Sequence, residues 1–467
     1  MVIQKLLIQY LLMPLAKVME KLPERARDAL FVIGGLGVGF QIMLQNMTLT
    51  QWRYLIHFMI GCVSLGIMIL STLRTDMKPV QFRKSITVCW FGAGVMILQS
   101  ALRLNMDYAA EAVMFLAAFP ILFICWNNAD RQKIFKLMLR IMKIIVVIFM
   151  VGCLFFAEIT TERYQGIFTN PNGMAELLML AVGCQIVEIL YCKRFGWRCV
   201  GDILILGCAV ALCYYTNSRT GYLGMICAVL FGVVMYFLTH DRKENSRCIL
   251  KVAAAALVTV FCVFHLVYVF QWRAQLDIPF PDLREEDSYT FIDENEAVPK
   301  QNLPETVAEP ERSGIAGFQN VAKEKGETED KSFDDISTGR VTIWKAYASD
   351  LNLFGHAEVP PVYVPLTGQT IGTTHMNILQ IAYESGVFAG VFYFLVNLLS
   401  GILTIWFAWK FRNEKYAVLP LVVTVVFGVG SLLSASSLAM GYLITFYYYC
   451  MLFPIMVCQP AVSDKKE

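Results

Sequence analysis

Residues 250–270 read LKVAAAALVTVFCVFHLVYVF, and Lys251, at one end, is the only formal charge in the run. A stretch of that length and apolarity matches the roughly 20 residues an α-helix needs to cross a bilayer. Arg242, Lys243 and Arg247 stand just before it, whereas the segment 271–377 that follows holds 19 acidic residues against nine basic ones. Positively charged flanks are retained on the cytoplasmic side. The run is therefore predicted to leave the cytoplasm at its start and to deliver a large acidic segment to the outside.

Working outward, eleven further apolar runs are predicted spans: about 29–46, 54–73, 85–102, 109–126, 141–159, 174–192, 199–215, 221–239, 378–409, 417–436 and 438–458. The run at 378–409 is long enough to include an interfacial turn. With the N-terminus inside, 26 of the 39 Lys and Arg residues fall on the cytoplasmic side, and only Arg53, Arg103, Arg163 and Arg219 fall in short outer connections. The remaining nine lie in 271–377. Composition agrees: 57% of the chain is apolar and 16% charged, where a water-soluble domain carries about a quarter charged, so a soluble globule is excluded. The formal charge of +2 gives no sign of a nucleic-acid partner. No cysteine lies between Cys262 and Cys450, so the polar segment has neither a disulfide framework nor a cysteine-based metal site. The expectation is an all-α polytopic membrane helix bundle of about 12 transmembrane helices, with one large extracytoplasmic loop containing short helices. Its parts are a cytoplasmic amphipathic segment (1–28), spans one to nine (29–270), the loop (271–377), spans ten to twelve (378–458) and a cytoplasmic tail (459–467). No small-residue cleavage site follows the first 27 residues.

Within the loop, 282–335 has the composition of a mobile acidic insertion, rich in Glu, Asp and Pro. Aromatic and apolar residues then return, among them Val341, Ile343, Trp344, Tyr347 and Phe354, as a short helix lying on the membrane face would require. Ionisable residues are scarce in mid-span. Glu111, Glu158 and Glu176 lie near outer ends and Glu188 and Asp202 near inner ones, an arrangement that disfavours a proton-coupled pathway.

Four polar motifs gather on the outer face. The first, Arg163-Tyr-Gln-Gly166-Ile-Phe168-Thr-Asn170-Pro171-Asn172-Gly173, enters the sixth span; Asn170 before Pro171 also reads as a helix N-cap, while Arg163 runs against the positive-inside bias. The second, Thr216-Asn217-Ser218-Arg219-Thr220-Gly221, joins spans seven and eight. Its arginine is either an interfacial anchor or, flanked by hydroxyl and amide groups, a grip for phosphate oxygens. The third, Ser337-Thr338-Gly339-Arg340-Val341-Thr342-Ile343-Trp344, reads as a helix start, with Ser337 and Thr338 as caps and Arg340 in a first turn where the macrodipole disfavours a cation but favours an anionic ligand. The fourth, Thr373-Thr374-His375-Met376-Asn377, opens a span with an imidazole able to act as a general base. His356 is a second histidine candidate.

In this order, around one large external loop, the motifs Arg163 to Asn172, Ser218 to Gly221, Gly339 to Trp344 and His375 to Gly390 resemble the O-antigen ligase and O-antigen polymerase superfamily of bacterial membrane glycosyltransferases. The likeness covers roughly 150–400. One departure is that Phe354-Gly355-His356 stands where the family often has Gly-x-Gly; another is the acidic insertion. The resemblance implies a multi-pass protein of the cytoplasmic membrane that transfers a glycan from a polyprenyl diphosphate carrier to an acceptor sugar hydroxyl at the outer face. Four acceptor classes fit the resemblance: a lipid-linked repeat, a lipid core, a wall polymer and a protein. It also implies inverting, metal-independent transfer without a cofactor, and no metal motif is apparent in the sequence. On this reading Arg219, Arg340 and His375 are catalytic, and Arg163, Asn170, Asn172, Ser218, Trp344 and Asn377 bind substrate. Two other classes fit a polytopic bundle: a polysaccharide or lipid-linked-glycan transporter, and a non-catalytic scaffold of a glycan assembly complex. The first needs a polar site at mid-membrane open to both faces; the second predicts that Arg219 and His375 are dispensable.

Overall fold

The computed structural model describes residues 2–46, 54–104, 109–156, 163–168, 170–275, 339–364, 369–434 and 442–458. The acidic stretch 282–335, Ser337, Thr338, Glu158 and the tail 459–467 lie outside the described residues.

The described residues of every predicted apolar run are mainly helical; 157–159 and 435–441 lie outside the described residues. Among the described residues, eight helices are long and apolar enough to cross a membrane: Val2–Met19, Lys84–Arg103, Ala109–Asn127, Pro171–Tyr191, Trp197–Tyr215, Arg219–Thr239, Glu244–Val269 and Val387–Lys410. Met59–Ser71, Leu419–Leu433 and Leu443–Met456 are shorter apolar helices. The first of the eight occupies the segment read from sequence as an amphipathic lead-in, so its apolar residues suffice for more than surface contact. Helix Arg242–Gln275 runs several residues past both ends of the quoted apolar run.

Pro171–Tyr191 is the axial helix, packed by Arg131–Phe156, Trp197–Tyr215, Arg219–Thr239 and Leu419–Leu433. Nearly all of its apolar stretch is buried, as expected for a helix hydrophobic on every side. Small residues permit the close approach that drives helix association in lipid. A Cβ on Gly224 would lie 2.3 Å from Met179 Sδ, and one on Gly183 would lie 2.9 Å from Val422. Buried Asp202 forms an ion pair with Lys143, so this deep acid already has a cation.

The structure places the turn allowed for in the run 378–409 and adds strands that the sequence reading lacked. The run 378–409 is two helices, Asn377–Ser385 and Val387–Lys410, separated at Gly386. Gly386 has φ +93°, and its missing Cβ leaves room for Leu353 O, which a methyl would approach to 2.3 Å. The outer segment is also not wholly helical. Val362–Val364 and Gln369–Ile371, both rich in β-favouring residues, pair antiparallel with Val362 opposite Ile371. Ile343, Tyr347, Val364 and Tyr383 form a small core of their own, which seats the helix Arg340–Ser349 between this hairpin and the Asn377 helix.

Candidate active site

Asn170 has extended backbone (φ −133°, ψ 126°), and its side chain accepts from Asn172 N at 2.8 Å, capping the axial helix with Pro171 at its first position. Asn172, in the first turn, is a junction. Its Oδ1 accepts from Arg163 Nη2 at 2.9 Å and from Ser218 Oγ at 3.2 Å. Arg163 Nε donates to Thr216 O at 3.0 Å, and Tyr164 N donates to Tyr215 O at 3.0 Å. Arg163 therefore ties the approach to the axial helix onto the connection that carries Arg219. Ser218 in turn caps Arg219–Thr239 by accepting from Gly221 N at 3.3 Å, with the preceding Asn217 in the left-handed region at φ +50°. Arg219 is the first residue of that helix and is exposed.

The outer helix begins at Arg340, and its N-cap is Gly339 at φ 82° with no side-chain cap. A Cβ there would meet Val364 Cγ1 at 2.2 Å, so glycine serves both the left-handed turn and the packing of the hairpin against it. Arg340 occupies the first turn, as read from sequence, and Ser337 and Thr338 lie outside the described residues. One turn further on, Trp344 Nε1 donates to Thr374 O at 3.0 Å, grasping the carbonyl just before His375. Thr374 is fully buried. Its N–H donates to Gln380 Oε1 at 3.0 Å, its Oγ1 donates to Met376 O at 2.8 Å, and Met376 N approaches the same Oγ1 at 3.2 Å. These contacts hold His375 at φ +50°, an uncommon value for a residue with a Cβ. Asn377, almost fully buried, donates from Nδ2 to Tyr393 OH at 3.2 Å, and that hydroxyl lies 3.0 Å from Tyr449 OH inside the bundle.

Electrostatics show which of these groups meet. Burial, then the cations Arg219 and Arg163, hold the Arg340 guanidinium below its ordinary value. Burial, then Arg340, lowers the His375 imidazole below the usual 6.5. Arg163 is lowered as well, chiefly by burial. Three arginines and one histidine from four separate stretches thus share one neighbourhood, and among the described residues no carboxylate figures among the causes acting on Arg163, Arg340 or His375. The helices beginning at Pro171, Arg219, Arg340 and Asn377 all start here, so the partial positive charge of their N-termini adds to that of the side chains. Such a concentration suits a polyanionic ligand, whereas the imidazole, kept neutral, can accept a proton.

All six residues read as substrate contacts have polar groups engaged by the protein: Arg163, Asn170, Asn172 and Ser218 in the junction above, the indole N–H of Trp344 by Thr374 and the amide of Asn377 by Tyr393. Thr374, Gln380 and Thr216 were not singled out from sequence. Their only sequence signal is proximity to His375 and Arg219, since a side chain that binds a backbone group across a turn leaves no periodic trace. His356 stands apart from the arginines. It stacks on Tyr383 with ring centroids 4.0 Å apart, and its Nε2 lies 3.5 Å from Asp350 Oδ2, to which Tyr383 OH donates at 2.9 Å. Beside it, Gly355 has φ +85°, and a Cβ would fall 2.1 Å from Glu384 O. One glycine is therefore enough for the close approach, and histidine is accommodated where the family often has a second. Gly355→Ala is expected to loosen the outer segment by about 2–3 kcal/mol, because the obstacle is backbone and the dihedral is strained. Faster proteolysis within 339–364 in the variant, with the rest of the bundle protected, is the measurement.

Residues 204–394, about two-fifths of the chain, match the family model described as O-antigen ligase. The match includes Arg219, Arg340, Trp344, His375 and Asn377 and leaves Arg163, Asn170 and Asn172 outside. No curated protein matches the chain.

Proposed function

From an O-antigen ligase domain in a helical membrane protein, we propose that this chain is a membrane glycosyltransferase acting on a polyprenyl-diphosphate-linked glycan at the outer face of the cytoplasmic membrane. The observation that carries the reading is the shared neighbourhood of Arg163, Arg219, Arg340 and a depressed His375. Arg219 and Arg340, with Arg163 at the rim, grip the diphosphate and neutralise the charge that grows on it as it departs. His375 takes the proton from an acceptor sugar hydroxyl. The acceptor oxygen forms its bond to the anomeric carbon as the bond from that carbon to the diphosphate oxygen breaks, so the lipid leaves as polyprenyl diphosphate and the anomeric configuration inverts. The diphosphate is already a competent leaving group, and the protein's task is alignment and charge stabilisation by side chains. Ser218, Asn170 and Asn172 hold the loops that present these groups. Trp344 and Asn377 act as positioning residues.

The test uses purified protein in lipid with a defined polyprenyl-diphosphate glycan. A ladder of lengthened glycans without added acceptor identifies a polymerase, and dependence on an added acceptor identifies a ligase. Absence of any glycosidic product under both conditions would sink the enzyme reading. The positioning role of Trp344 has its own signature. Trp344→Phe removes one hydrogen bond of about 1 kcal/mol and leaves the arginines in place. The expected result is a drop in kcat of about fivefold with KM unchanged; a rise in KM alone would make the indole a substrate contact.

A further inference from the structure

At the opposite end of the bundle from His375 lies a second group of cations that the reaction does not use. Helix Val387–Lys410 has 24 residues and so spans about 36 Å from the His375 end. This exceeds the hydrocarbon thickness of about 30 Å and puts Lys410 among lipid headgroups. There, Arg83 Cζ lies 4.4 Å from the centroid of the Trp406 ring, and Lys410 Nζ lies 4.8 Å from the same centroid. Lys410 is also 5.5 Å from the Phe411 ring. The neighbouring carboxylate is committed elsewhere: Glu414 is bound by Arg131 through both Nε, at 3.0 Å, and Nη2. Among the described residues neither Arg83 nor Lys410 has a carboxylate within ion-pair distance, and Arg83 Nε is buried without a hydrogen-bond partner. Two cations sharing one indole repel each other, and a ring quadrupole offsets only part of that.

We propose that Arg83, Lys410 and Trp406 bind the phosphodiester headgroup of an anionic phospholipid at this interface. A phosphate oxygen supplies the acceptor that Arg83 Nε lacks and the negative charge that the pair requires. A lipid fits better than free phosphate because the same helix presents exposed Leu398, Ile402, Ile405 and Trp409, an apolar face for acyl chains running away from the cations. Basic pockets between membrane helices are suited to such headgroups.

Native mass spectrometry of the full chain, titrated with phosphatidylglycerol, phosphatidylcholine or inorganic phosphate, tests this. One phosphatidylglycerol is expected to be retained in preference to phosphatidylcholine. A basic group near an anionic headgroup contributes a factor of about five, so Arg83→Gln with Lys410→Gln is expected to weaken retention about 25-fold, and Lys410→Gln alone, an exposed change, about fivefold. Equal retention by the double variant, or of phosphatidylcholine by the unmodified chain, overturns the proposal. Displacement of the lipid by millimolar inorganic phosphate overturns the choice of a lipid over the free anion.

Discussion

Arg340→Ala is expected to lower kcat by about 30- to 1,000-fold while the protein remains folded. The lower bound corresponds to about 2 kcal/mol and the upper to about 4 kcal/mol, the range for removing one preorganised donor to developing charge. Arg340 stands first in its helix, half-buried and in the field of Arg219 and Arg163, a position that disfavours its own charge until an anion arrives. Truncation therefore does not harm the apo protein, and thermal stability is expected to hold or rise slightly. Arg219→Ala is expected to act in the same direction. Steady-state turnover and a melting curve on the same preparations check both halves. Full activity in both single variants would remove the diphosphate grip from the account.

His375→Ala is the second large effect, expected at about 100- to 10,000-fold in kcat, the span for general-base assistance. The pH profile carries more information than the loss itself. Burial and Arg340 both oppose the imidazolium, so the folded imidazole is neutral at pH 7 and titrates below its ordinary value of about 6.5. Activity that depends on the neutral form is thus retained as pH falls to 6.5 and declines only at lower pH. Arg340→Gln removes the cation and relieves part of the opposition, so the acid limb of kcat/KM measured on the residual activity is expected to move to higher pH. If His375 only contacts the diphosphate as a cation, the opposite profile results, with activity rising as pH falls.

The helical bundle was legible because lipid leaves little freedom: a long apolar run such as 250–270 must satisfy its backbone as helix, and it lies within the helix Arg242–Gln275. The break at Gly386 was less visible. Val387, Phe388 and Ala389 continue the apolar pattern, and only the glycine's positive φ and its contact with Leu353 O divide the helix. The hairpin 362–371 was missed because each of its strands is three residues long, too short for alternation to register.

Within the site, the arginines were legible for an electrostatic reason. Arg163 and Arg219 fall on the side that the topology expected from sequence depletes of cations, and Arg340 stands where a helix start should carry an acid. The approach of Arg340 to Arg219 and Arg163 joins residues more than 100 positions apart and is a tertiary fact. Trp344 illustrates the limit. Its place one turn after Arg340 could be read, but its bond to the carbonyl of Thr374, which makes it a brace for the His375 turn, depends on how the outer helix seats in its small core of Ile343, Tyr347, Val364 and Tyr383.

The most direct measurement is the stoichiometry of polyprenyl diphosphate released to glycosidic bonds formed, followed in one reaction for the unmodified chain and for Arg340→Ala. One lipid diphosphate released for each bond, with both products falling together in the variant, is the predicted result. Release of lipid diphosphate without bond formation, or bond formation undiminished in the variant, would contradict the account.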